Sequence, residues 1–281
     1  MNELVARLET LVGATPVEWT PRGGGYSTAD RFSVTLDDGR TVFVKSAHAE
    51  HMAGWLRREH EVYAHLSGSF IPNLIAFDDD GARPMLVLED LSGADWAPNW
   101  MPARVDAVLG ALDELHASPP PPNTTSVRES HGQLFDRWQA VAADPEPFLS
   151  TGLRSRAWLD DRLATLVEAA RSAPVDGDAV LHLDVRSDNI CTVGRRAILV
   201  DWNWTALGNP DVDVVAWLPS LALEGGPKPW EVVRDASALA AWVAGFWAAL
   251  VGLPPPETAP TVREGQKRQL SVTLDWLDRE L

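Results

Sequence analysis

The chain has 281 residues, 45% of them apolar, enough to bury one large domain or two small lobes. Its formal charge of −16 argues against broad contact with nucleic-acid phosphates or anionic lipid, both of which reward clustered Lys and Arg, and leaves room for a cationic ligand. Apolar stretches such as 239–251 fall short of the ~20 residues that cross a bilayer. The first residues lack the charged start and apolar run of a signal peptide, and the lone Cys191 has no disulfide partner, so no membrane contact and a reducing cytoplasm are expected.

Leu4, Val5, Leu8, Leu11 and Val12 at helical spacing predict an opening helix over 1–12. A glycine-rich loop, Arg22-Gly23-Gly24-Gly25-Tyr26-Ser27, follows. Phe32, Val34 and Leu36 alternate along a strand over 31–36, Asp37-Asp38-Gly39 supplies a turn, and 41–45 returns as the second strand of a hairpin. Trp55, Val62, Tyr63 and Leu66, interleaved with Arg57, Arg58, Glu59 and Glu61, predict an amphipathic helix over 52–66. Two apolar runs, 74–77 and 85–88, split by Asp78-Asp79-Asp80-Gly81, read as another strand pair. Ser92-Gly93, Pro98 and Pro102 then break the strands.

From there the pattern is mostly helical: 105–115, 134–141, 153–171, 236–250 and 264–281, with a stiff proline run at 119–122. A short β pair, 179–183 and 197–200, flanks the polar segment 184–189. The fold class expected is α+β, with an N-terminal antiparallel sheet carrying one main helix over 1–91 and a larger, mostly helical part over 92–281. Thirteen Trp are many for this length. Most belong in the core, but Trp96, Trp100, Trp202, Trp204 and Trp230 lie near informative segments, where an indole face would hold an organic cation.

Chemistry concentrates in His182-Leu183-Asp184-Val185-Arg186-Ser187-Asp188-Asn189 and in Asp201 at the end of the next strand. Transfer of a γ-phosphoryl group needs positioning and charge neutralisation: a carboxylate near the acceptor hydroxyl and oxygen ligands for Mg²⁺. Asp184 suits the first task; Asn189 and Asp201 suit the second. His182 reads as a residue that orients the loop, Asp188 as a solvated neighbour, and Cys191 as a small buried side chain. His48, His51 and His60 are too scattered for zinc.

The spacing His182-x-Asp184-x-x-x-x-Asn189 followed by Asp201 resembles the catalytic loop and second metal-binding Asp of kinases. With Asp201-Trp202-Asn203 and the stretch from Gly208-Asn209-Pro210 to Asp213, the chain is similar to the aminoglycoside phosphotransferase family of antibiotic and small-metabolite kinases. That resemblance implies a bilobal protein-kinase-like fold, ATP (with GTP left open) and Mg²⁺, and a small-molecule hydroxyl substrate of cationic character, handled by a monomer or weak dimer. It implies that Lys45 meets the α- and β-phosphates, with Glu59 as its ion-pair partner and Glu61 the competing choice. Glu89 and Leu91 would hold adenine through their backbone, Gly24, Gly25 and Ser27 would fold over the phosphates, and Asp213 would support the catalytic loop. Arg186, two residues after Asp184, would stabilise charge on the transferred group.

The acceptor is open to several readings: an aminoglycoside or a basic peptide antibiotic, inactivated as a means of resistance, or a housekeeping amino alcohol or sugar. A nucleotide-binding module without catalysis is a further alternative. Asp211, Glu224 and Glu231 with Trp204 and Trp230 either line a pocket for a polycation or belong to surface and core.

Overall fold

The computed structural model describes residues 2–23, 29–96, 98–134, 137–257 and 259–281. Helix α1 (Asn2–Val12) leads into five antiparallel strands, β1 (Pro16–Pro21), β2 (Asp30–Leu36), β3 (Thr41–Ser46), β4 (Leu74–Asp78) and β5 (Met85–Glu89), with α2 (Glu50–His65) between β3 and β4. The sheet order is β1-β2-β3-β5-β4. Gly39, at φ +85, closes the β2–β3 turn in the left-handed region that favours glycine.

Strand alternation divides this sheet into two faces. Val34, Val42, Val44, Met85 and Val87 pack with Leu8 of α1. Leu86 and Leu88 point the other way and pack with Met52 and Leu56 of α2. Lys45 is one residue out of phase with Val44, so it lies on the α2 side, where Glu59 is found. Strand β1 was not expected from the sequence: proline at both ends and a pattern without a buried residue hide it, as suits an edge strand.

The helical part contains α3 (Pro102–His116), α4 (Val127–His131), α5 (Trp138–Ala143), α6 (Glu146–Ser150), α7 (Arg156–Arg171), α8 (Asp211–Leu223), α9 (Pro229–Val232), α10 (Ser237–Ala248) and α11 (Val262–Glu280). Helix α10 is buried on nearly every side and packs against α5, α7, α8 and α11. At Gly245 a β-carbon would stand 2.8 Å from the Arg137 nitrogen, so only glycine lets that segment approach. The Trp138 indole N–H donates to the Ala241 carbonyl at 2.8 Å, fixing α5 to α10. The expectation that most tryptophans are core fits Trp138, Trp202, Trp217, Trp242 and Trp276, all fully buried; Trp55 is half exposed. Among the described residues, no helix is long and apolar enough to cross a membrane.

Four short strands frame the polar segment: β6 (Ala179–Leu181), β7 (Ile190–Val193), β8 (Arg196–Leu199) and β9 (Ala206–Gly208). One expectation is corrected here. The runs at 179–183 and 197–200 do not pair with each other: β6 pairs with β9 and β8 with β7. The unexpected partners are only three and four residues long, too short to carry a periodic signal.

Candidate active site

Lys45, buried at 6% exposure, has its ammonium 2.5 Å from Glu59 and 3.3 Å from Asp201. Burial alone would lower its affinity for the proton, but the two carboxylates outweigh it and hold the Lys45 pKa above the ordinary range. Burial likewise works to raise Asp201, and Lys45 and Arg31 overcome it, keeping that carboxyl below its usual range and ionised. One ammonium thus ties β3, α2 and the segment after β8 together. Glu61, the competing partner, is exposed.

The loop after β6 is held from beneath by Asp213, a fully buried carboxylate near the start of α8. It accepts the backbone N–H groups of His182 at 2.8 Å and Leu183 at 2.7 Å, and lies 3.0 Å from His116 Nε2. Leu183 sits at φ +64 and Asp201 at φ +69, conformations that cost a non-glycine residue about 1–3 kcal/mol and cluster at functional sites. The Asp213 bonds help offset the first. His182 connects the two strained residues. The Asp184 N–H can only donate and the Val200 carbonyl can only accept, so Nδ1 accepts the former at 3.2 Å and Nε2–H donates to the latter at 3.0 Å. The ring also packs 4.5 Å from Trp202.

Asp184 is contacted on both oxygens. Arg186 Nε lies 3.0 Å from Oδ1, and Asn189 Nδ2 donates to Oδ2 at 2.9 Å and to the Asp184 carbonyl at 2.9 Å. Burial raises its pKa, with Arg186 the main opposing influence. Arg186 also reaches Asp188, an exposed residue, at 3.1 Å. Because Asn189 spends its amide N–H₂ on Asp184, its amide oxygen is the atom it has left for a cation. On Asp201, Oδ1 receives both Lys45 and Asn203 Nδ2, the latter at 2.5 Å. An amide oxygen and an ionised carboxylate are the hard donors Mg²⁺ takes alongside waters and substrate phosphates. Among the described residues there is no group of three or more His, Cys, Asp or Glu that would cage a metal unaided.

Of the other residues singled out by sequence, Gly24, Gly25 and Ser27 lie outside the described residues. The Glu89 carboxylate accepts both N–H groups offered by Asn73, and the Glu89 N–H donates to the Asn73 carbonyl, so side chain and N–H are internally satisfied. The Leu91 carbonyl accepts from Ala94 and from the Trp96 indole. Sequence reasoning quoted Asn203 within Asp201-Trp202-Asn203 without giving it a role, and here it bonds Asp201; it missed His116, which braces Asp213 and lies in no spacing that marks it. Cys191 is a buried thiol pushed up to about 12 by burial.

Beside the loop lies a cavity of about 680 Å³. Asp184, Arg186, Asp201 and Asn203 line it, as do Trp55 of α2, Leu134, Trp204, Val243, Phe246, Trp247 and Leu250, and Val262, Arg263, Gln266 and Gln269 of α11. Of the five residues considered for a polycation pocket, Trp204 alone is in this lining. Glu224 accepts from Ser187 and from the Trp100 indole, Glu231 accepts the Lys228 N–H at the start of α9, Trp230 lies under the Arg279 guanidinium, and Asp211 opens α8. They serve packing and helix ends.

A five-stranded antiparallel sheet joined to a helical body, with a lysine bridging helix and loop carboxylates, defines a kinase-like phosphotransferase. The family comparison agrees: residues 18–251 match the model of the phosphotransferase enzyme family (APH), and the chain belongs to that family. Among solved structures, it is similar to a thermostable mutant of aminoglycoside phosphotransferase APH(4)-Ia in its apo form, at 16% identity, TM-score 0.62 and 98% coverage of both chains. Spectinomycin phosphotransferase APH(9)-Ia, in complex with ADP and spectinomycin, matches at 12% identity and TM-score 0.62, covering 100% of this chain and 98% of that one. A choline/ethanolamine kinase family protein from Mesorhizobium loti matches at 16% identity and TM-score 0.55, covering 97% and 99%. These likenesses concern the fold. A search of curated proteins found no match.

Proposed function

We propose that the protein is an ATP- and Mg²⁺-dependent O-phosphotransferase acting on a hydroxyl of a small molecule. The observation that carries this reading is the joining of Lys45, Glu59 and Asp201 to Asp184 and Asn189 along one side of a cavity large enough for a drug-sized acceptor. Residues 1–91 act as the nucleotide-binding lobe and 92–281 as the catalytic and acceptor-binding lobe.

In this reading Lys45 neutralises the α- and β-phosphates. Asn189 and Asp201 hold Mg²⁺, which when bound offsets charge on the phosphates. Asp184 orients the acceptor hydroxyl and takes its proton as the acceptor oxygen bonds to the γ-phosphorus and the bond to the ADP oxygen breaks. Arg186 keeps Asp184 ionised and adds positive charge beside the transferred group. Asp213 and His182 position the loop and touch no reactant.

The test is acceptor-dependent ADP release with Mg-ATP across aminoglycosides, basic peptide antibiotics and metabolite alcohols. Release with at least one acceptor, abolished in Asp184→Asn, is expected. Tight Mg-ATP binding with no acceptor-dependent release in any arm would instead mark a nucleotide-binding module.

A further inference from the structure

Helix α2 serves both sides of the site. Arg57 pairs with Asp79 at 2.6 Å and the His60 ring stacks on Phe77 at 3.7 Å, so that face of the helix is taken up by the sheet. Trp55, Arg58 and Glu59, spaced i, i+3 and i+4, share another face. Glu59 holds Lys45 at 2.5 Å, and Arg58 Nη2 donates to the carbonyl of the buried Thr205 at 2.8 Å. Trp55, one turn earlier, lines the cavity that Asp184 also lines.

Met52, Leu56, Val62 and Tyr63 of the same helix are buried, whereas the Trp55 side chain is 50% exposed. A single exposed apolar residue on an outer surface needs no explanation. This one borders a cavity, and Trp204, Phe246 and Trp247 of the helical part line the same cavity. Aromatic rings from both parts of the molecule thus border one space of about 680 Å³, much larger than a single small ammonium group fills. A flat apolar ring placed there covers indole surface now in water, whatever charge the rest of the ligand carries. The segment beside the cavity is braced by the same helix. Arg58 holds Thr205, the neighbouring Trp204 carbonyl accepts from His131 Nε2 at 2.9 Å, and Asn203 bonds Asp201. A ligand that touches Trp55 therefore favours the placement of α2 in which Glu59 meets Lys45, and a nucleotide that uses Lys45 favours the placement in which Trp55 borders the cavity.

We propose, building on the phosphotransferase reading above, that Trp55 is an acceptor-binding residue supplied by the nucleotide lobe. It receives a flat apolar ring of the acceptor alcohol, and through α2 the acceptor and the nucleotide each bind more tightly in the presence of the other.

Two alcohols test this, 2-naphthalenemethanol as the ring and choline as the small cation, each titrated calorimetrically into the full chain with and without Mg-ADP. The naphthalene alcohol is expected to bind more tightly than choline, and to gain about fivefold or more in affinity when Mg-ADP is present. Trp55→Ala should weaken it about tenfold and abolish the gain, while Mg-ADP titrated alone keeps its wild-type affinity. Trp55→Phe, which keeps a smaller ring, should show an intermediate loss of both, and it decides the matter if the Ala variant melts early. Tighter binding by choline, no binding of 2-naphthalenemethanol, unchanged affinity in the variants, or a gain from Mg-ADP that survives them would overturn the proposal. ADP release across the acceptor panel, with 2-naphthalenemethanol added, separates it from its foundation. Coupled, Trp55-dependent binding with no release from any acceptor would sink the phosphotransfer reading alone, whereas release whose KM for the acceptor is unmoved by Trp55→Ala would sink this one alone.

Discussion

The two sides of the site are built on opposite principles. On the side proposed to take the nucleotide, the charges described above are paired: Lys45 with Glu59 and Asp201, Asp184 with Arg186 and Asn189, Asp213 with two backbone N–H groups. On the acceptor side the lining is largely apolar, and one of its cations, Arg263, has no ionic partner among the described residues. A phosphoryl donor is the same in every turnover, so its charges can be matched in advance by a rigid, buried network. An acceptor differs from one substrate class to another, and an apolar wall leaves room for that variation.

Breaking the polar side should produce the larger effects. Asp184→Asn removes the proposed proton acceptor and retains the shape, so turnover should fall by about 10²–10⁴-fold while calorimetry still detects Mg-ATP. Lys45→Met leaves Glu59, only 2% exposed, without its cation, and chemical denaturation should register a loss of about 3–5 kcal/mol. The double variant Lys45→Met, Glu59→Leu should recover much of that stability and none of the activity, separating folding from chemistry. Asp213→Asn replaces one of the two accepting oxygens with an N–H₂ donor, so one of the two backbone N–H groups loses its acceptor, with an expected cost of about 1–3 kcal/mol and a slower turnover at unchanged ATP affinity.

The acid limb of the rate profile is a finer probe. Burial raises the Asp184 pKa above that of an ordinary Asp, and the proposed mechanism uses the carboxylate form, so activity should be full above that raised value and decline as pH falls through it. Arg186 is the leading influence pulling it down. Arg186→Met should therefore move the limb to higher pH as well as lower kcat, with ATP affinity little changed; a limb that stays in place would show that Arg186 does not tune Asp184. Trp230→Phe and Glu231→Gln, outside the cavity, should leave kcat/KM unchanged, and a loss there would blur the boundary drawn here between acceptor wall and surface.

How much of this was legible beforehand follows from chain distance. Asp184 and Asn189 share one short loop and Asp201 ends the next strand, so their grouping is local and spacing alone reveals it. Lys45 and Glu59 came from resemblance, and strand alternation explains why Lys45 faces α2. The acceptor wall was not legible, because α10 and α11 reach it from 40 to 80 residues further along and their apolar positions look like any helix core. The acidic residues taken as pocket candidates illustrate the same limit: Asp211 and Glu231 open helices, where carboxylates are favoured by the backbone itself. Strands β7 and β9 escaped because three or four residues cannot display a period.

The wiring of His182 sets a rule for what can replace it. Its two nitrogens are used with opposite polarity, one receiving from Asp184 and the other giving to Val200. A substitute must therefore offer an acceptor and a donor from one rigid head, so a carboxamide such as Asn meets the grammar of the position while Lys, Arg, Asp and Glu do not. Position 182 is thus a test of syntax more than of acidity: a neutral amide would be tolerated where a better base would not.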